Sequence, residues 1–212
     1  MTAASDDAPE LDGDHLDPDP IRQFEQWFAQ ARDAGVRQPE AMTLATVTAA
    51  GRPAARTVLL RGLDQRGFVF YTNLESAKAH DLAQQPHAAL VFHWREVERQ
   101  VRVVGPVSVV DRDKAVRYWE TRPRGHRIGA WASPQSEVVA GRDELDRRVA
   151  DVERRFAGVD PPLPRFWGGY RVAPVELELW QGRKDRLHDR ARYRRVDDFD
   201  DNASWIIERL AP

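Results

Sequence analysis

The sequence predicts a mainly β fold of α+β class: one antiparallel, barrel-like sheet with helices packed outside it. Three observations carry this. Apolar, strand-like runs bounded by turn residues recur along the chain from Met42 to Leu210. The first three, at 42–49, 54–63 and 68–72, follow one another through the short turns Gly51-Arg52-Pro53 and Asp64 to Gly67, as a meander does. The regular strand–helix alternation of a doubly wound sheet is missing.

Residues 1–19 are rich in Asp, Glu, Pro and Ala and hold no Lys or Arg, so they read as a disordered leader that cannot bury enough apolar surface to offset ordering. The remainder, 20–212, reads as one domain. Asp19 is a candidate N-cap with Pro20 at the first helical position. Ile21, Phe24, Trp27, Phe28 and Ala31 then recur at helical spacing, and Gly35 ends the helix. After the meander comes a short helix, 76–84. Strands follow at 88–94 and 99–110, the second broken by Gly105-Pro106. Helices are expected at 111–121, capped by Asp111, and at 142–156. Strands return at 169–172, 175–180, 190–195 and 205–210.

Composition narrows the function. At 212 residues, 42% hydrophobic and 31% charged, the chain is globular. A net charge of −2 gives no global field for nucleic acid or an anionic membrane. With no cysteine there is no disulfide, thiolate nucleophile or Cys-based zinc site. The six histidines show no metal spacing, so no metal is expected. No apolar run approaches the roughly 20 residues a membrane helix needs, and the N-terminus lacks the plan of a signal peptide. A cytoplasmic location is the expectation. No G-x-G-x-x-G, P-loop or G-x-S-x-G motif is present.

Four segments carry more polar chemistry than a plain barrel needs. Arg56 and Arg61 flank the apolar core Thr57-Val58-Leu59-Leu60. Alternation places them on opposite faces, where they serve two anions or are simply solvated strand ends. Tyr71, Thr72 and Lys78 lie where a strand meets a helix, which suits a phosphate cradle or ordinary capping by Asn73 or Ser76. Tyr118 and Arg122, four apart, share a helical face that suits a phosphate or an amphipathic helix end. The basic run from Trp180 to Arg190 is a nucleic-acid patch, a solvated hairpin or an anion-binding loop beside an aromatic ring.

In their order, RTVLLR, FYTNLESAK, ERQVRVVG, YWETRPRGHRIGAWASPQS, FWGGYRV, ELWQGRKDRLHDR and the terminal ERLAP resemble the pyridoxine/pyridoxamine 5′-phosphate oxidase family from about Asp19 to Pro212. The resemblance implies an FMN-binding split barrel working as a homodimer, with the flavin between subunits. It implies that Arg56, Thr57, Val58, Leu59, Leu60, Arg61, Tyr71, Thr72, Lys78, Gln100, Gln135, Ser136, Trp180 and Arg190 hold FMN. Arg61, Tyr118, Arg122, His126, Arg186, Leu187 and His188 would hold a phosphorylated pyridine substrate, with Arg186 and His188 acting at the reacting ring. The implied reaction oxidises the 4′-amine or 4′-alcohol to pyridoxal 5′-phosphate, with dioxygen giving hydrogen peroxide. Neither nucleic acid nor membrane is an expected partner.

Four positions depart from the family pattern. Arg61 replaces the usual Lys, His126 a common Ser and Ala77 a common Arg, and the leader lacks an Arg-x-Glu-Tyr segment. Two alternatives compete: a related flavin oxidase of the phenazine-biosynthesis type, and a non-enzymatic flavin or pyridoxal-phosphate carrier.

Overall fold

The computed structural model describes residue 11 and residues 15–196 and 204–212. Disorder expected over 1–10 and 12–14 falls outside the described residues. The described part of the expected leader is packed: Leu11 and Leu16 are buried, and the Asp17 carbonyl accepts a 2.7 Å hydrogen bond from the Tyr193 hydroxyl.

Helix α1 (Pro20–Asp33) begins as its sequence dictates. Asp19 Oδ1 accepts from the Ile21 amide at 2.8 Å, and Pro20 occupies the first turn, where a missing N–H costs nothing. Its apolar stripe buries Phe24, Trp27 and Ala31. Phe24 meets Phe68 edge-on at 4.8 Å and Phe92 at 4.9 Å; full burial of such a ring stabilises by roughly 1.5–3 kcal/mol. The helix ends at Asp33, and Gly35 takes the left-handed φ of +76° that turns the chain away.

Ten strands follow among the described residues, all paired antiparallel: β1 (Ala41–Val47), β2 (Pro53–Leu59), β3 (Gly62–Asp64), β4 (Gly67–Asn73), β5 (His87–Trp94), β6 (Arg99–Val109), β7 (Trp167–Val172), β8 (Glu176–Gln181), β9 (Asp189–Arg195) and β10 (Trp205–Arg209). The expected 54–63 strand is therefore two. Leu60 donates back to the Glu40 carbonyl, whereas Arg61 already donates to Val69, so the chain changes partner there.

The main path runs β10-β9-β8-β6-β5-β1-β2, and β6 also pairs with β7, which leads to β4 and β3. β6 makes this turn without ending. Residues 99–104 pair with β8 and residues 107–109 with β7. Gly105 is the bend: a Cβ there would stand 1.8 Å from the Ala173 carbonyl oxygen. Gly105-Pro106 thus redirects the strand rather than breaking it. The curled sheet encloses Leu44, Phe70, Phe92, Val101, Val103, Leu177 and Leu179, all buried.

Four more helices lie outside: α2 (Ala77–Gln84), α3 (Arg112–Thr121), α4 (Arg124–Ala132) and α5 (Arg142–Arg155). α4 was not expected from the sequence. Among the described residues no helix is long and apolar enough to cross a membrane.

Candidate active site

β2, β4, α2, α3 and the start of α4 converge on a cavity of about 550 Å³, within the size range of small-molecule sites. Of the residues expected at the site, Thr57, Val58, Leu59, Arg61, Tyr71, Thr72, Lys78, Tyr118, Arg122, His126 and Gln135 line it. A second basin of about 430 Å³ shares Tyr71, Thr72, Arg122, His126 and Gln135 and extends along α4 to Trp167.

Lys78 is the buried cation of this site. Its ammonium donates to Gln135 Oε1 at 2.8 Å and to Thr72 Oγ1 and Ser76 Oγ at 3.1 Å. All three acceptors are neutral. Burial, then the neighbouring Arg56 guanidinium, lower its pKa to about 8. Neither capping reading of this turn holds. Asn73 Oδ1 closes a local turn on the Glu75 amide at 2.7 Å, and Ser76 makes no side-chain cap. The Ala77 amide donates instead to Ser136 Oγ at 3.2 Å, which brings Ser136 to the mouth of α2.

Arg122, half-buried, is the second cation of the site. It lies one residue beyond α3, with ψ of 140°, so it does not share a helical face with Tyr118 as expected. The chain turn nevertheless brings both into one cavity. Its Nη2 donates to the His126 carbonyl at 3.1 Å, and its Nε is buried with no hydrogen-bond partner. Burial lowers its pKa, the Tyr118 phenol opposes that shift, and Arg61 adds to it.

Three nearly parallel rings stand beside it: Tyr71 on Tyr118 at 4.1 Å, Tyr71 near Trp167 at 5.5 Å, and Tyr118 near Trp167 at 6.1 Å. Gly169, paired with Tyr71 across β4 and β7, makes room for this stack; a Cβ there would come within 2.7 Å of the Tyr71 ring. Burial, then Tyr118, raise the Tyr71 pKa.

Three expected residues of this group sit apart from the cavity wall. Arg56 hydrogen-bonds Thr46 and lies 3.4 Å from Asp81. Leu60 is buried in the core, and Ser136, beyond the end of α4, sits at the mouth of α2 as described. Arg56 and Arg61 do serve different places, as alternation implied, but Arg61 does so from beyond the strand end, 3.8 Å from Glu40.

The remaining expected residues form a second group. Gln100, Trp180 and Arg190 are cross-strand neighbours on β6, β8 and β9. The His188 ring lies 4.5 Å from Trp180, and its Nδ1 accepts from the Arg183 amide at 3.1 Å, which makes that nitrogen the unprotonated one. Arg190 donates to Glu178 and to the Ala211 carbonyl, each at 2.8 Å. Arg186 takes φ of +63°, and Leu187 is 71% exposed. None of the six lines the cavity of the first group. One chain thus gathers most of the expected constellation at this cavity and presents the other six residues on and between β6, β8 and β9.

Sequence reasoning passed over Thr46, Asp81 and Trp167. Asp81 alone left a signal, lying three residues after Lys78 and hence on the same helical face. Chemically, Lys78 and Arg122 are cations with neutral partners in a concave, aromatic-lined space, an arrangement suited to phosphate-bearing ligands.

Comparison with known proteins agrees. Residues 28–156 match the family described as pyridoxamine 5′-phosphate oxidase, and residues 167–212 match the pyridoxine 5′-phosphate oxidase C-terminal dimerisation region. The chain is 53% identical over 204 residues to the pyridoxine/pyridoxamine 5′-phosphate oxidase of Salinibacter ruber, covering 96% of this chain and 94% of that one. It is 53% identical over 199 residues to the protein of the same name from Rubrobacter xylanophilus, covering 94% and 89%. The crystal structure of PhzG from Burkholderia lata in complex with tetrahydrophenazine-1-carboxylic acid superposes with a TM-score of 0.89 at 31% identity, covering 97% of this chain and 98% of that one. A pyridoxamine 5′-phosphate oxidase-related, FMN binding protein from Nostoc punctiforme shares the fold, with a TM-score of 0.71, 22% identity and coverage of 89% and 97%.

Proposed function

The chain belongs to the pyridoxine/pyridoxamine 5′-phosphate oxidase family, and we propose that it oxidises pyridoxamine or pyridoxine 5′-phosphate to pyridoxal 5′-phosphate with dioxygen, releasing hydrogen peroxide, as an FMN-carrying homodimer. The observation that carries this reading is the pair of cations, Lys78 and Arg122, that meet only neutral partners at one cavity. A site built to be empty would pair them with carboxylates. A site for two phosphates leaves them waiting.

The residues present fit FMN. Lys78 and Arg56, with the Thr72 and Ser136 hydroxyls, would take its phosphate at the start of α2. Gln100, Trp180 and Arg190 would meet the ring system. When bound, FMN supplies the two-electron chemistry, accepting electrons from the substrate C4′ carbon and passing them to dioxygen. The protein contributes position. Arg122 would grip the substrate phosphate with its guanidinium, with Arg61, Tyr118 and the His126 imidazole beside it. Arg186 would lie against the pyridine ring, with His188 orienting it. His188 Nδ1 already accepts a hydrogen bond, so the neutral ring carries its proton on Nε2 and can donate there. The second group comes to this cavity from the other protomer, since within one chain it lies elsewhere; the dimerisation region spans Trp180, Arg186, His188 and Arg190.

The likeness to PhzG raises a second reading, an oxidase whose substrate lacks phosphate. A carboxylate could meet Arg122 as a phosphate does, so the weight against this reading is the 53% identity over nearly the whole chain to relatives named pyridoxine/pyridoxamine 5′-phosphate oxidase, against 31% to PhzG. Oxygen uptake by purified protein, with pyridoxamine or pyridoxine 5′-phosphate and with or without added FMN, decides the matter. FMN-dependent uptake with stoichiometric peroxide is expected. No uptake with either ester, from a protein that retains FMN, would end the reading.

A further inference from the structure

Arg56 is held by a network that includes none of the residues expected at the site. It pairs with Leu44 across β1 and β2. From there its Nη1 reaches the Thr46 hydroxyl at 2.5 Å and, more loosely, the Leu44 and Ala54 carbonyls at 3.4 and 3.3 Å. Its Nη2 donates to Asp81 Oδ2 at 3.4 Å. Thr46 completes the triangle by donating to the same carboxylate oxygen at 2.7 Å. The proton order is fixed: a guanidinium only donates, so the single hydroxyl hydrogen of Thr46 goes to Asp81 and its lone pair faces Arg56. Thr46 and Asp81 are both buried, and Asp81 follows Lys78 by one helical turn. The Nε of Arg56 makes no hydrogen bond among the described residues and remains for a ligand.

We propose that Asp81 and Thr46 are positioning residues for Arg56, holding its guanidinium ready for the cofactor phosphate before the cofactor arrives. The inference rests on the cofactor reading of Arg56 given above. Its force lies in a conflict of sign. A buried carboxylate near a phosphate site opposes the incoming anion and itself costs desolvation. Were the local field its only effect, removing the charge would tighten binding. A clamp does the reverse: without it, a long flexible side chain must be ordered at the moment of binding.

The test is titration of the apoprotein with FMN and, separately, with riboflavin, followed by quenching of flavin fluorescence. Asp81→Asn and Thr46→Val should each raise the Kd for FMN by about 3- to 13-fold, with Thr46→Ser close to the parent. The Kd for riboflavin, which lacks the phosphate, should move less than about twofold. FMN bound as tightly or more tightly by Asp81→Asn overturns the proposal, and so does an equal loss for both flavins, which marks general damage. Should Asp81→Asn fail to fold, the Thr46→Val and Thr46→Ser pair decides by the same criteria. Arg56→Ala separates the two levels. If it leaves FMN affinity intact, the cofactor reading of Arg56 is wrong. If it weakens FMN while Asp81→Asn and Thr46→Val do not, only the clamp is wrong.

Discussion

The guanidinium of Arg122 lies over the indole of Trp167, its central carbon 4.6 Å from the ring centroid, and Trp119 stands on it at 5.4 Å. The aromatic faces stabilise the cation beside its one hydrogen bond to the His126 carbonyl, which is how a half-buried arginine with no carboxylate partner stays charged.

Arg122→Ala should raise the KM for pyridoxamine 5′-phosphate roughly 10- to 150-fold, the range expected for hydrogen bonds to a charged group, with FMN content unchanged. Trp167→Leu should raise it less, about 3- to 30-fold, the range of a cation–π contact. Steady-state kinetics beside flavin absorbance checks both; an unchanged KM in Arg122→Ala counts against the phosphate assignment.

FMN affinity should fall as pH rises through about 8, where Lys78 loses its proton. The phosphate, with a second pKa of about 6, is by then a dianion. Fluorescence titrations at neutral and alkaline pH should show the fall, and Lys78→Arg should abolish it. Stability of the cofactor-free protein should move the other way. Between the folded value of about 8 and the ordinary 10.5, the unfolded chain binds more protons, so this group's contribution rises with pH over that window. Denaturant melts of the parent and Lys78→Met should differ in that slope.

A site shared between protomers makes a sharp demand on mixed dimers. Lys78→Met and Arg186→Ala chains, each inactive alone, should regain about a quarter of parental activity when refolded together, because half the dimers are mixed and each holds one intact site. No recovery, with mixed dimers demonstrated by differential tagging, would place both groups in one protomer's site.

Gly105→Ala should be severely destabilising. Its Cβ would sit 1.8 Å from the Ala173 carbonyl oxygen, which is backbone and cannot swing aside. A loss of roughly 3 kcal/mol or more is expected, at about 2–4 °C of Tm per kcal/mol for a chain of this length; thermal melts measure it.

The strands were legible because alternation and turn residues are local properties, and Asp19-Pro20 announced α1 by chemistry confined to one turn. What escaped depended on distant partners. The split between β2 and β3 reflects Arg61 pairing with Val69 instead of continuing along β1. α4 carries Gly125 and Gly129, poor helix formers that masked its period. Residue spacing alone left each site segment with an ordinary reading, and the likeness of motifs in order supplied the assignment. Thr46 and Trp167 carried no signal of their own, since each matters only through an arginine on another element, Arg56 and Arg122.

β6 is the strand that pairs in both parts of the sheet, with Gln100 near its start and Val107 to Val109 joined to the strand bearing Trp167. Its amides should consequently exchange with deuterated solvent among the slowest in the molecule, since opening them means parting both halves at once. The last region to loosen would then be a seam, and the two parts of the sheet that it joins would come apart as one cooperative unit.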